Sequence, residues 1–417
     1  MAATKQATVY IHLKEGPVPA GILTMQIQGR YTSSEFAYGN KYLERPDAVS
    51  LDPIELPLPP PGKTTIYETK KSPIFNGIRD ASPDKFGRYL LKKKYSHIGL
   101  DEFDYVAASG YDRVGALAFG ESPTSGIGIW NTETFVSLPG PEKYLDLAQI
   151  LKALESQDRP DNPEFQMLMD SGPSMGIGGA RPKGTVIWNG SLYIAKFPTS
   201  SDSYNICLAE YATMRMAKEC GISTPKASIA TIEGKTIYLV ERFDRIISGD
   251  QKTIHRLPFH SALTMTGLHE LEFAKFSYWE IVDAITQFSS SASRDRKEMF
   301  RRMVFNIFCN NNDDHLKNHG FIYCGNGKWD LSPAYDIVPF PQSTKVYALL
   351  LQIGEEGKTA SISNALSGAK HFGLKNSEAE QIIEEVREVT KNWKDFFAEC
   401  GAEEQDIDSL SSCFREL

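Results

Sequence analysis

Two dipeptides, Asn189-Gly190 and Glu233-Gly234, constrain this chain more than any other feature. The first lies between "TVIW" and "SLYIAKF", the second between "SIATI" and "KTIYLVERF", runs rich in β-branched and aromatic residues. Asn-Gly accepts the positive φ angles of a type I′ turn, so each dipeptide predicts a tight β-hairpin. Between them, "YNICLAEYATMRMAKEC" sets Cys207, Tyr211 and Met214 on one helical face. The expected order is strand, strand, helix, strand, strand, and after about residue 255 the pattern becomes mostly helical.

A polar stretch interrupts that helical half. Asn310 to Phe321 reads "NNNDDHLKNHGF". Before it, Met299, Phe300, Met303, Val304, Ile307 and Phe308 recur at helical spacing, and after it "FIYC" reads as a strand. Rigid neighbours on both sides are how catalytic loops are usually mounted. Asp313, Asp314, His315, Lys317 and Asn318 are therefore the first candidates for chemistry. The hairpin "GFIYCGNGKWDLS" follows and delivers "PAYDIVP". Further on, Ser377 and Glu380 predict a capping box, opening a helix that carries Ile382, Val386, Val389, Trp393 and Phe396 on one face.

The first third holds strand-like runs such as "ATVYIHL" and "GILTMQI". Residues 52 to 63, "DPIELPLPPPGK", are expected to be an extended surface connection, because proline lacks the amide a sheet interior needs. Proline-rich and polar segments near 140 to 165 mark a domain boundary. With 417 residues, 41% of them hydrophobic, the chain can bury substantial cores. A formal charge of -8 argues against coating DNA or an anionic membrane unaided. Cysteines 207, 220, 309, 324, 400 and 413 form no C-x-x-C pair or Cys/His cluster, which fits a reducing cytoplasm without a zinc site or disulfide framework. The N-terminus has no apolar signal core and no stretch of 18 apolar residues occurs, so neither export by that route nor a membrane span is expected.

Phosphoryl transfer from ATP needs backbone amides and a lysine at the phosphates, a carboxylate near the attacking hydroxyl, and oxygen ligands for magnesium. Each has a candidate. In "SGPSMGIGGARPKG" (171 to 184), Gly176, Gly178 and Gly179 leave the backbone open to phosphate oxygens, although the composition also suits a flexible linker and lacks the Walker ending. Lys196 ends the strand "SLYIAKF". It either snorkels to solvent or binds phosphate, held by Glu210 on the next helix. Asp313 and Asn318 have the offset of the protein-kinase catalytic loop, and Asp336 stands where kinases carry a second metal-binding carboxylate. The joint order is far more specific than any member. A rival reading makes Asp313, Asp314, His315, His319 and Asp336 a metal hydrolase site, though both nearby histidines share one loop. The plainer reading of His315 is a hydrogen-bonded brace for the loop, and of Asp314 and Lys317 a solvated or locally paired charge set.

Several stretches resemble the HipA family of atypical serine/threonine kinases, toxins of bacterial toxin–antitoxin pairs tied to persistence. They are "GIRDASPDKFGRYLL" and "YDRVGALAFG", then "GGARPK", "VERFDR", "DDHLKN" and "LSPAYDIVP", together spanning nearly the whole chain. The resemblance implies an α+β fold of two protein-kinase-like lobes, a β-rich N-lobe and an all-helical C-lobe, with an additional β-rich N-terminal subdomain. The expected division is 1–150, 151–250 and 251–417. Asp313 would be the catalytic aspartate, with Asn318 and Asp336 binding magnesium. Gly176, Gly178, Gly179, Lys196, Glu210 and Lys317 would serve ATP, and the backbone around Glu241 and Phe243 would hold the adenine.

The resemblance also implies a cytoplasmic kinase partnered by a HipB-like helix-turn-helix antitoxin, reaching operator DNA mainly through it, with no membrane. The substrate it suggests is an aminoacyl-tRNA synthetase, glutamyl-tRNA synthetase being the known type. Two departures stand out. Family members are silenced by autophosphorylation of a serine in the Gly-rich loop, where this chain has Gly176, with Ser171 and Ser174 close by. Asn311 and Asn312 replace the usual His-Arg before the kinase aspartate. The alternative is a non-catalytic nucleotide-binding partner of a DNA-binding transcription factor.

Overall fold

The computed structural model describes residues 2–28, 31–97, 99–108, 110, 112–128, 144–157, 162–171, 179–247, 254–342, 346–415 and 417. The chain packs as two compact units, Met1–Lys196 with Asp244–His260, and Phe197–Phe243 with Ser261–Leu417.

The first unit is built on a five-stranded antiparallel sheet. In spatial order its strands are Ile66–Glu68, Tyr31–Tyr38, Gly16–Gln28, Ala2–Leu13 and Leu117–Gly120. Val9, Ile11, Leu23, Met25, Phe36 and Phe119 are buried, supplying the core from the inward-facing positions of the pleat. The proline-rich connection splits in two. Residues 57 to 63 lie outside any strand and are largely exposed, as expected, but Asp52 and Leu56 are buried and bridge each other. The Asp52 carboxylate is taken inward because it accepts the amides of Ile54, Glu55 and Gly77, an arrangement that stops the turn from being a plain extended linker.

Two sequence-distant stretches interlock in this unit. Asp244 accepts the Gly115 amide at 2.8 Å, and Arg245 donates to the Gly115 carbonyl at 2.9 Å, to Asp244 at 2.8 Å and to the Arg113 carbonyl. "YDRVGALAFG" and the end of "VERFDR" therefore form one polar knot. Burial and the nearby Arg256 charge press the Arg113 guanidinium down to about 9. The first predicted hairpin also lies here, Lys183–Trp188 against Ser191–Lys196, with Asn189 at φ 48° and Gly190 at φ 78°.

The second hairpin belongs to the other unit. Ala227–Ile232 pairs with Lys235–Glu241 around Glu233 and Gly234, at φ 50° and 76°. The helix Ile206–Glu219 starts where Asn205 accepts the Leu208 amide at 3.1 Å. All six apolar residues predicted on the helix before the polar loop are buried in Ala292–Cys309, and Phe300 packs edge-to-face on Phe372 at 5.2 Å. The hairpin Gly320–Gly325 with Lys328–Leu331 follows the loop as expected. All six cysteines are free thiols. Among the described residues, no helix is long and apolar enough to cross a membrane.

Candidate active site

The polar loop hangs between two fixed points of the second unit. Helix Ala292–Cys309 ends at Asn310, which adopts a left-handed φ of 49° and donates its side-chain amide to the Phe340 carbonyl at 2.6 Å. A short 3-10 turn, Leu316–Asn318, closes the loop before the next strand. Within it, neighbouring aspartates part company: Asp313 is exposed, whereas Asp314 is 2% exposed. The Asn318 side chain donates from Nδ2 to the Asp313 carbonyl at 3.1 Å. That bond engages the amide nitrogen and leaves Oδ1 as the atom that could face a ligand.

Asp314 is held from two sides. It accepts the Tyr278 hydroxyl at 2.5 Å and pairs with His319 Nε2 at 3.0 Å. Tyr278 in turn accepts from Asn306 at 3.2 Å, and Asn306 accepts from Asn311 at 3.1 Å. Burial and the Asp314 charge push the Tyr278 phenol far above its usual range, which keeps it a proton donor in this network. The brace expected of His315 is therefore supplied by His319, the histidine that faces the core. His315 is half-buried with Nδ1 unpartnered. Lys317 pairs with Glu270 at 2.9 Å rather than with Asp314, and its carbonyl accepts the Tyr335 hydroxyl at 2.7 Å.

Asp336 arrives after the hairpin with a φ of 60°, a left-handed conformation that costs a non-glycine residue energy and recurs at functional sites. Tyr238 is buried on strand Lys235–Glu241, and Glu210 is buried on helix Ile206–Glu219. Burial raises the Tyr238 phenol well above its ordinary value, and the Glu210 and Asp336 carboxylates beside it raise it further. The Glu241 amide donates to the Lys226 carbonyl at 2.8 Å, and the Phe243 ring lies 5.7 Å from Tyr335, the residue bonded to Lys317.

In the first unit, Lys196 is buried at the end of its hairpin, opposite Lys183 in the register. Gly179, at φ 98°, donates its amide to Asp84 at 3.1 Å and accepts from the Phe86 amide at 3.2 Å. Its amide is thus engaged with Asp84 rather than open. Gly176, Gly178 and Ser174 lie outside the described residues, as does the side chain of Ser171.

Sequence reasoning missed Tyr278, Tyr238, Asn306 and Tyr335. Asn306 carried a signal, a polar residue inside a run that is otherwise buried; the tyrosines did not, being core-like residues remote in sequence from what they touch. Among the described residues, no three His, Cys, Asp or Glu side chains gather where they could hold a metal. The hydrolase reading thereby loses its ligand set, because Asp314 and His319 are committed to each other.

The model of the HipA-like C-terminal domain family matches residues 175–393. A Haemophilus influenzae protein named "Putative kinase" is 26% identical over 253 residues, 54% of this chain and 72% of its own length. The serine/threonine-protein kinase toxin HipA of Shewanella oneidensis is 26% identical over 263 residues, 57% of this chain and 56% of the toxin. A chain from the solved complex of Shewanella oneidensis HipA, HipB and operator DNA aligns at a TM-score of 0.66 with 17% identity, covering 97% of this chain and 94% of that one. The α+β fold expected from the sequence is the fold observed, but the segment 251–417, expected to be all-helical, also carries the hairpin Gly320–Gly325 with Lys328–Leu331.

Proposed function

Because this chain belongs to the HipA-like C-terminal domain family, we propose that it is an ATP- and magnesium-dependent protein serine/threonine kinase of HipA toxin type. The observation that carries the reading is the Asn318 bond to the Asp313 carbonyl, with Asp336 held at a left-handed φ of 60° after the hairpin. Asp313, exposed at the loop surface, accepts the proton of the attacking serine or threonine hydroxyl. Asn318 Oδ1 and the Asp336 carboxylate are hard oxygen donors of the kind magnesium takes. One amide and one carboxylate make an incomplete cage, which suits an ion that arrives with phosphates and keeps several waters. Bound magnesium would neutralise charge on the transferred phosphoryl group.

Lys196 and Glu210 serve ATP phosphate, the backbone around Glu241 and Phe243 holds the adenine, and Lys317 with Gly176 and Gly178 completes the nucleotide set, while Gly179 drops out of it because its amide is bound to Asp84. The division into 1–150, 151–250 and 251–417 belongs to the same proposal. A solved relative assembles with HipB and operator DNA, which supports a HipB-like antitoxin as partner here. The substrate we propose is a cytoplasmic aminoacyl-tRNA synthetase, with Ser171 or Ser174 as the site of any autophosphorylation. Incubating the protein with labelled ATP, magnesium and cell extract, then identifying labelled bands by mass spectrometry, tests this directly. Label on a seryl or threonyl residue of a synthetase supports the proposal. Nucleotide binding without any label would favour the non-catalytic partner of a transcription factor instead.

A further inference from the structure

The loop from Asp313 to Asn318 is closed twice at the same spacing. On one side Asn318 bonds the Asp313 carbonyl at 3.1 Å; on the other, one residue along at each end, His319 bonds the Asp314 carboxylate at 3.0 Å. The first closure involves the residues assigned to chemistry. The second lies in the core, where Asp314, Tyr278 and His319 are each no more than 3% exposed. A buried carboxylate is costly unless its lone pairs are filled, so it persists only with donors in place. Tyr278 supplies one from the first turn of helix Tyr278–Phe288, and His319 supplies the other, the tautomer with its proton on Nε2 leaving no buried N–H unmatched at Nδ1. Through Asn306 and Asn311 the same network reaches the residues just before the loop.

We infer that Asp314 is a positioning residue, clamped by Tyr278 and His319 so that Asp313 and Asn318 are held in one geometry for phosphoryl transfer. The inference rests on the kinase reading of Asp313. Backbone placement is what it controls: the peptide carrying Asp313 is fixed by the inward pull of the next side chain, and Asn318 by that of the residue after it. Small displacements of positioned groups cost large factors in rate, whereas nucleotide affinity depends on contacts elsewhere.

Tyr278→Phe removes one hydroxyl at nearly constant volume and is the first variant to measure. The expected result is a kcat lower by roughly 10-fold to 100-fold with KM for ATP changed less than about twofold, and faster hydrogen exchange at the amides of 313 to 318. Asp314→Asn should retain more activity than Asp314→Ala, since one acceptor survives. If Tyr278→Phe does not fold, His319→Leu reads the same quantities. Unchanged kcat and unchanged exchange would overturn the clamp even if the protein is a kinase. Faster exchange in a protein whose wild type transfers no phosphate would leave the clamp standing as a structural fact and remove its catalytic meaning, overturning the inference through the kinase reading alone.

Discussion

Asn318 ties its side-chain nitrogen to the backbone carbonyl of Asp313 across 3.1 Å, so the two residues cannot be displaced independently. One bond thereby orients an amide oxygen and the main chain behind an exposed carboxylate. Asn318→Leu, close in volume, removes both the tether and the proposed oxygen ligand. The expected outcome is a fall in phosphate transfer of at least about 100-fold, with thermal stability little altered because the loop's anchoring runs through Asp314. Paired kinetic and thermal-unfolding measurements check it; a loss of activity matched by early unfolding would assign Asn318 a folding role.

Phe300 is fully buried in the helix that delivers the loop and meets Phe372 edge-to-face. Phe300→Ala should destabilise the second unit by about 3–5 kcal/mol, the usual range for a large aromatic truncated in a packed core. Denaturant titration followed by fluorescence measures it, and a cost under about 1 kcal/mol would mean the site collapses around the cavity.

Gly77 is required by close approach. A Cβ there would lie 2.6 Å from the Leu51 carbonyl and 2.7 Å from Asp52 Cβ. Gly77→Ala should therefore cost about 1–3 kcal/mol through displaced backbone and weaken the Gly77 bond to Asp52. Calorimetry of the variant, with Gly99→Ala as a control where nothing lies within 4 Å, separates this clash from a general glycine effect.

How much of this was legible beforehand follows from the range of each interaction. Both two-residue turns, the helix between them and the apolar helix before the loop are local patterns, and the positive φ angles at Asn189, Gly190, Glu233 and Gly234 bear out the turns. Boundaries were less legible. The helix expected to run from Ser377 through Phe396 is two, Asn376–Thr390 and Trp393–Glu399, and the first is capped by Glu378 reaching back to the Lys375 amide rather than by Ser377 with Glu380. The break turns Phe397, not Phe396, into the core. In the loop, sequence could rank Asp313 and Asn318 by spacing but could not tell which histidine faces inward. That depends on Tyr278, 36 residues from Asp314. The knot of Asp244 and Arg245 with Gly115 spans about 130 residues and was visible only as two unrelated motifs.

His12 gives the pH dependence a definite sign. Burial, then the charges of Arg256 and Arg245, lower its imidazole from 6.5 to about 2. Between those values the unfolded chain binds a proton that the folded chain does not, so stability is fully present above 6.5 and falls as pH drops through the window. The expected slope from this group is about 1.4 kcal/mol per pH unit. Denaturation midpoints between pH 7 and 5 should fall more steeply for the wild type than for His12→Leu; parallel curves would show that His12 titrates alike in both states.

Asp313 is the residue proposed to take the proton of the attacking hydroxyl. Its carboxylate is exposed, so Asp313→Asn should leave the unfolding midpoint unchanged. The decisive measurement is the rate of phosphate transfer from labelled ATP with magnesium, comparing that variant with the wild type under identical conditions. A loss of roughly 100-fold to 10,000-fold with nucleotide binding retained is expected. Transfer by the variant at the wild-type rate would contradict it.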